Sequence, residues 1–246
     1  MRNILLKIKY DGKTYHGWQV QNNASSVQED LQNALYKVIG ERPDIKGCSR
    51  TDAGVHANMY CISFKTEHTI PSDRLPHAIN RFLPEQIAAF EARDVSEDFH
   101  ARYSCKGKEY IYKIHNAQFR DPFLSGYAMH YWQKLDDELM RKAAVHFLGT
   151  HDFTSFCTVD AKRQKGDFHR TIKNLDVKRC GDMVYITVEA DGFLYNMVRI
   201  IVGTLMYVAQ GKFLPDDIPD IINALDRKRA GPTAIPDGLY LNRVFY

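Results

Sequence analysis

Cysteine is scarce in this chain of 246 residues: five, at positions 48, 61, 105, 157 and 180, with no C-x-x-C and no Cys/His pair at zinc-finger spacing. That excludes a disulfide framework or a structural zinc site as the source of stability, and makes a reduced, cytoplasmic compartment the expectation. The opening apolar run, Ile4–Leu6, is too short for a secretory leader and has Arg2 and Lys7 on either side. An excess of one charge is also missing. There are 33 Lys+Arg against 30 Asp+Glu, and the pI of about 8.5 is below the value of about 9 that flags a nucleic-acid-binding domain. With 44% hydrophobic and 26% charged residues, disordered and collagen-like classes are excluded. The length allows one large domain or two ordinary ones, and burial of roughly 70–75% of the unfolded surface without a covalent staple.

Several catalytic signatures are absent. Gly12-Lys13-Thr14 looks like the tail of a phosphate-binding loop, but Lys7 stands where its first glycine is required. There is no G-x-G-x-x-G, no G-x-S-x-G, and no H-x-E with P-C-x-x-C, which removes the zinc deaminases. One long apolar run does exist. Gly192–Gly211 carries Arg199 as its single charge, and an Arg near the centre of a spanning helix costs about 2.5–3.5 kcal/mol. A buried core helix is the simpler reading, and no membrane partner is expected. A guanidinium on such a helix needs a partner, and a carboxylate is the natural one.

Element order gives the architecture. Arg2–Tyr10 reads as a strand and Ser26–Glu29 as a capping box opening a helix with Val27, Leu31, Leu35 and Val38 on one face. Strands follow at Ile45–Thr51 and Asn58–Phe64, a helix at Ser72–Phe82 despite Pro76, and a strand at Gln86–Arg93. The second half repeats the order: strand Lys108–His115, helix Asp136–Leu148, strands Thr171–Arg179 and Met183–Glu189, helix Phe193–Gln210 and strand Leu239–Tyr246. The expectation is an α/β (α+β) chain of two ferredoxin-like β-α-β-β-α-β halves with mixed antiparallel sheets, residues 1–100 and 101–246. His151–Gly166 reads as a long connection.

The near balance of charge hides three basic clusters. Lys162 to Arg179 holds seven positive residues in eighteen, Arg102–Lys113 interleaves four with Tyr103, Tyr110 and Tyr112, and Arg227–Arg229 is a third. Each alone reads as a solvated face. Together, two of them among aromatic residues, they point to a folded RNA, because phosphates need cations and unstacked bases need aromatic faces.

The most unusual stretch is Gly47–Ala57, where an expected strand runs into a turn carrying Arg50, Asp52 and His56. A plain turn would use Asp to cap its own backbone and Gly54 at positive φ. The functional alternative is a strand end that projects a carboxylate into a cleft, with Arg50 two residues earlier on the same face.

Arg50-Thr51-Asp52-Ala53-Gly54-Val55-His56-Ala57 resembles the active-site motif of the tRNA pseudouridine synthase A (TruA) family. The likeness continues through Tyr10-Asp11-Gly12, Tyr15–Gln19, Val27-Gln28, Phe99–Arg102, Tyr110–Tyr112, Gly149–Phe153, Phe193-Leu194, Met197–Arg199, Ala230–Ala234 and Gly238–Leu241. The resemblance implies isomerisation of uridine to pseudouridine at positions 38 to 40 of the tRNA anticodon arm, without a cofactor or metal. It also implies a cleft between two related halves, in a homodimer. Asp52 matches the catalytic aspartate, and Arg199 the arginine the family pairs with it. Tyr110 matches the active-site tyrosine, suited to stacking on uracil. Arg50 is placed to fill the space of a flipped base or to hold a phosphate, and Leu239 to form an apolar wall. His56 reads as structural. The reaction breaks N1–C1′, turns the uracil and joins C5 to C1′. A carboxylate serves it as nucleophile on C1′ or C6, or as a base on the ribose, and the sequence leaves all three open. Ser49, Tyr60, Lys108 and Ile235 depart from the usual family residues.

Overall fold

The computed structural model describes residues 1–22, 24–158 and 166–246. The chain divides into two compact units: Met1–Lys106 with Tyr240–Tyr246, and Gly107–Leu239. The sheets are mixed and mostly antiparallel, so the class is mixed α/β.

In the first unit β1 (Arg2–Tyr10) lies between β4 (Ile87–Val95) and β3 (His56–Thr66), antiparallel to both. Its central position buries Asn3–Leu6 without a break, so the strand lacks the clean alternation of a half-exposed one. Helix α1 (Val27–Ile39) starts where Ser26 Oγ accepts from the Glu29 amide at 3.3 Å and stops at Gly40, φ +76. Val27, Leu31, Leu35 and Ile39, rather than Val38, form its buried face. Pro76 is tolerated because α2 (Leu75–Asn80) begins one residue earlier, after a 3₁₀ turn at Ser72–Arg74.

The expected strand Ile45–Thr51 shrinks to β2 (Lys46–Gly47). It pairs with Ser63 and Ile62 of β3, and β10 (Leu239–Phe245) pairs in parallel with His56 and Ala57 at the other end of that strand. The last strand therefore returns to the first unit.

In the second unit β5 (Gly107–His115), β9 (Met183–Ala190), β8 (His169–Cys180) and β7 (Gly149–Asp152) succeed one another antiparallel. Two-residue β6 (Met129–His130) runs parallel to the end of β5. The neighbours run β1-β3-β2 in the first unit and β5-β9-β8 in the second. Helix α3 (Asp137–Ala144) is capped by Asp136 and followed by α4 (Met197–Ala209) and α5 (Ile218–Asn223).

Helix α4 begins four residues later than the expected Phe193. Asn196 adopts φ +63, a conformation Asn tolerates better than most residues, and ends the preceding turn there. Gly203 meets the segment after Ala230 so closely that a Cβ would lie 1.8 Å from the Pro232 oxygen. Among the described residues no helix is long and apolar enough to cross a membrane.

Candidate active site

Asp52 sits in the irregular stretch between β2 and β3, half-buried, with Arg50 exposed two residues before it. The expectation that both share a strand face is corrected: residues 48–55 leave the sheet because other groups take over their hydrogen bonds. The Cys48 amide makes one last ladder bond to Cys61 O, 2.9 Å. Beyond it the Trp18 amide donates to Thr51 O at 3.2 Å, and the Gly54 amide donates to Tyr15 O at the same distance. Tyr10 Oη and Thr51 Oγ1 lie 2.8 Å apart, buried, and Tyr60 Oη donates to the Ser49 carbonyl.

Two glycines make this packing possible. At Gly17, φ +94, a Cβ would stand 2.5 Å from Thr51 O; at Gly12 it would stand 2.0 Å from Val55 O. Val55 N bonds back to Asp52 O at 3.2 Å, which closes the turn below the carboxylate. Thus the segment Tyr10–Trp18 serves as the mould of the Asp52 loop.

His56 is structural, as the sequence reading has it. Its ring is 2% exposed and stacks on Tyr240 at 4.5 Å, with Nδ1 3.1 Å from both the Gly12 amide and Asp11 Oδ1. Tyr60 is a residue whose part sequence reasoning missed. It stacks on Trp18 at 4.2 Å while holding Ser49, so two of the four departures form one contact.

The second unit carries the other candidates. Tyr110, on β5, is buried at 6% exposure, its ring edge-on to Phe193 at 5.0 Å. Leu239, at the start of β10, is equally buried. Arg199 is half-buried in the first turn of α4; Nε donates to Ala234 O at 2.6 Å and Nη1 to Asn196 Oδ1 at 2.9 Å. The Ala234 amide donates in turn to Arg199 O, 3.1 Å. Asn196 therefore both opens the helix and aims the guanidinium, a role its isolated place in the sequence did not signal.

The basic clusters sort into exposed and structural charges. Lys162, Arg163 and Lys165 lie outside the described residues. Arg179 is spent on Asp137 Oδ1 (2.6 Å) and Leu135 O, and Arg227 on Gly231 O and Thr233 Oγ1. Burial holds Arg227 and Lys113 below their ordinary pKa ranges. Lys173, Lys178, Lys228, Arg229 and Arg102 remain exposed. Of the tyrosines expected to offer faces to bases, Tyr103 is 78% exposed, whereas Tyr112 is a core residue with its hydroxyl on Ile235 O. Among the described residues no three His, Cys, Asp or Glu side chains group to hold a metal ion.

Asp52 thus stands on a braced turn of a mixed α/β chain. The family description "tRNA pseudouridine synthase" matches residues 7–104 and 143–246. A tRNA pseudouridine synthase A of Thermoanaerobacter sp. (strain X514) is 48% identical over 246 residues, covering all of both chains. One of Acetivibrio thermocellus is also 48% identical over the same full span. A "tRNA pseudouridine synthase A 2" of Clostridium tetani is 43% identical, covering 100% of this chain and 99% of that one. Among solved structures, a chain from a Cbf5-Nop10-Gar1 complex has a TM-score of 0.37 at 10% identity, over 82% of this chain and 53% of that chain. The chain belongs to the tRNA pseudouridine synthase A family, whose members are isomerases.

Proposed function

We propose that this enzyme isomerises uridine to pseudouridine at positions 38–40 of the tRNA anticodon arm, with Asp52 as the nucleophile. The observation that carries the reading is the Asp52 loop. The half-buried turn that carries the carboxylate is braced, at Ser49, Thr51 and Gly54, by backbone and hydroxyl groups of Tyr10, Tyr15, Trp18 and Tyr60, all outside the loop. A group that must attack a reacting carbon gains from being fixed before substrate arrives. Arg50, exposed beside it, fits a phosphate or the gap left by a flipped base, an event that costs a few kcal/mol of stacking.

By the family resemblance we assign Tyr110 and Leu239 to the uracil, and Arg199 to the positive charge that an ionised carboxylate requires. The two units act as ferredoxin-like halves, Asp52 on one and Tyr110 and Arg199 on the other, without a cofactor. By the family resemblance, the enzyme works as a homodimer in the cytoplasm.

The test is release of C5 tritium from uracil-labelled tRNA. The native protein is expected to release it, and Asp52→Asn to slow release at least about a thousandfold. Absence of release by the native protein overturns the reading. Free uracil as product would make it a base-cleaving enzyme, and undiminished release by Asp52→Asn would remove Asp52 from its role. Arg199→Leu is expected to lose activity tenfold or more together with some stability, since the Ala234 carbonyl loses its donor; near-normal turnover rejects its part.

A further inference from the structure

The chain between Asn116 and Ala128 borders a cavity of about 460 Å³ at the end of β5, within the second unit. Residues 115–130 lie between the two stretches that the family description matches, and no step of the proposed reaction uses them. The walls include His115, Arg120, Pro122, Leu124, Ile235 and Asp237.

Two polar groups here have unmet capacity. His115 is 9% exposed, and its Nδ1 is buried with no hydrogen-bond partner among the described residues. Such atoms are rare in folded proteins, and each calls for an explanation. His130, its neighbour across the β5–β6 pairing with ring centroids 5.6 Å apart, has Nε2 at 2.9 Å from Ala117 O. The half-buried Asp237 carboxylate has no hydrogen-bond or ion-pair partner among the described residues.

The volume lies within the range of small-molecule sites. Pro122, Leu124 and Ile235 give apolar walls, the imidazole nitrogen donates or accepts, and the carboxylate accepts. A nucleobase carries that complement in one rigid plane: apolar faces, and an edge mixing N–H donors with ring-nitrogen or carbonyl acceptors. Exposed Arg120 meets a single phosphate beyond the base. Asp121 and Asp237 against one guanidinium disfavour a polyphosphate. Phe119 and Phe123, 77% and 90% exposed, flank Arg120–Pro122 in the chain and offer stacking faces of the kind used by unpaired bases.

We propose that this cavity binds one nucleobase, of a mononucleotide or of an unpaired nucleotide in RNA, with His115 Nδ1 and Asp237 reading its edge. In its RNA form the proposal rests on the tRNA reading above; in its mononucleotide form it stands alone. The experiment titrates the full chain calorimetrically with AMP, GMP, CMP and UMP, and measures kinetics on a tRNA transcript, for native protein, His115→Phe and Asp237→Asn. The expected result is a tenfold or greater loss in the variants. If it falls on affinity for at least one mononucleotide, the ligand is free. If it falls on KM for tRNA with kcat unchanged, the nucleotide belongs to the RNA. Should the transcript prove no substrate, its filter-binding affinity replaces KM, so failure of the synthase reading stays distinguishable. Asp237→Asn loses no described partner and decides the matter where His115→Phe melts early. Mononucleotide and transcript binding both unaltered in a folded Asp237→Asn overturns the proposal.

Discussion

At the scale of single residues, the Asp52 loop depends on atoms that are not there. Gly17→Ala places a Cβ 2.5 Å from Thr51 O at a φ that L side chains avoid. Overpacking of this kind costs about 1–3 kcal/mol, and the loop must shift to relieve it. Urea denaturation is expected to show that loss, and tritium release to fall further than stability does. Tyr60→Phe removes the donor to the Ser49 carbonyl and is expected to cost about 1 kcal/mol while keeping the Trp18 stack. The turn that carries Asp52 was legible from the Arg50–Ala57 motif. Its support was not, because Tyr60, Trp18 and Tyr10 are distant in sequence and their contacts exist only after folding.

At the scale of elements, α4 shows why a helix read from hydrophobicity alone has the wrong start. The apolar run extends from Phe193, but Asn196 turns left-handed and its side chain is committed to Arg199 and Thr158 Oγ1. The same helix is joined to the Ala230–Ala234 segment through Gly203, Thr204 and Arg199. Gly203→Ala, ordinarily a helix-favouring change by roughly 1 kcal/mol, is expected to destabilise the protein by about 2 kcal/mol or more, because the methyl meets the Pro232 carbonyl. A denaturation midpoint that rises instead would reject that packing. Helix α3 gives a pH signature. Arg179, then Arg141, hold the Asp137 carboxyl below its ordinary range. A depressed folded pKa stabilises the protein above the unfolded value of about 3.9, and that stabilisation disappears as pH falls through the folded value. Asp137→Asn is expected to cost about 1 kcal/mol at neutral pH, after screening by solvent, and to flatten the acid limb of the stability curve. Long strands such as β1, β5 and β9 were legible within a residue or so, since β-branched and aromatic residues recur along them between turn signals. β2 was not, since its ladder ends where Tyr10–Trp18 takes over the hydrogen bonds.

At the scale of the whole molecule, a net charge of +3 conceals a division between cations that hold the fold and cations that face solvent. Arg179 and Arg227 belong to the first kind, and Lys173, Lys178, Lys228, Arg229 and Arg102 to the second. Raising salt from about 50 to about 200 mM is expected to weaken tRNA binding about tenfold or more, through KM rather than kcat, because phosphate contacts release counterions. A salt-independent KM would count against electrostatic capture. The mixed α/β class with mostly antiparallel strands was legible as element order. The seat of the last strand was not, because periodicity reports that Leu239–Phe245 is extended and says nothing about its neighbour.

That last strand has a consequence for biosynthesis. A nascent chain that has delivered residues 1–106 still lacks the partner of His56 and Ala57, the Phe245 carbonyl that accepts from the Lys106 amide at 2.8 Å, and the Tyr246 ring that meets Phe99 at 4.9 Å. The second unit is contiguous and can close as it leaves the ribosome, whereas the unit bearing Asp52 waits for the end of translation. The usual N-terminal-first order is then reversed for the first unit. Chains stalled after residue 239 should resist protease across 107–239 while remaining cleavable within 1–106, so the turn that carries Asp52 gains its final setting only with the last strand.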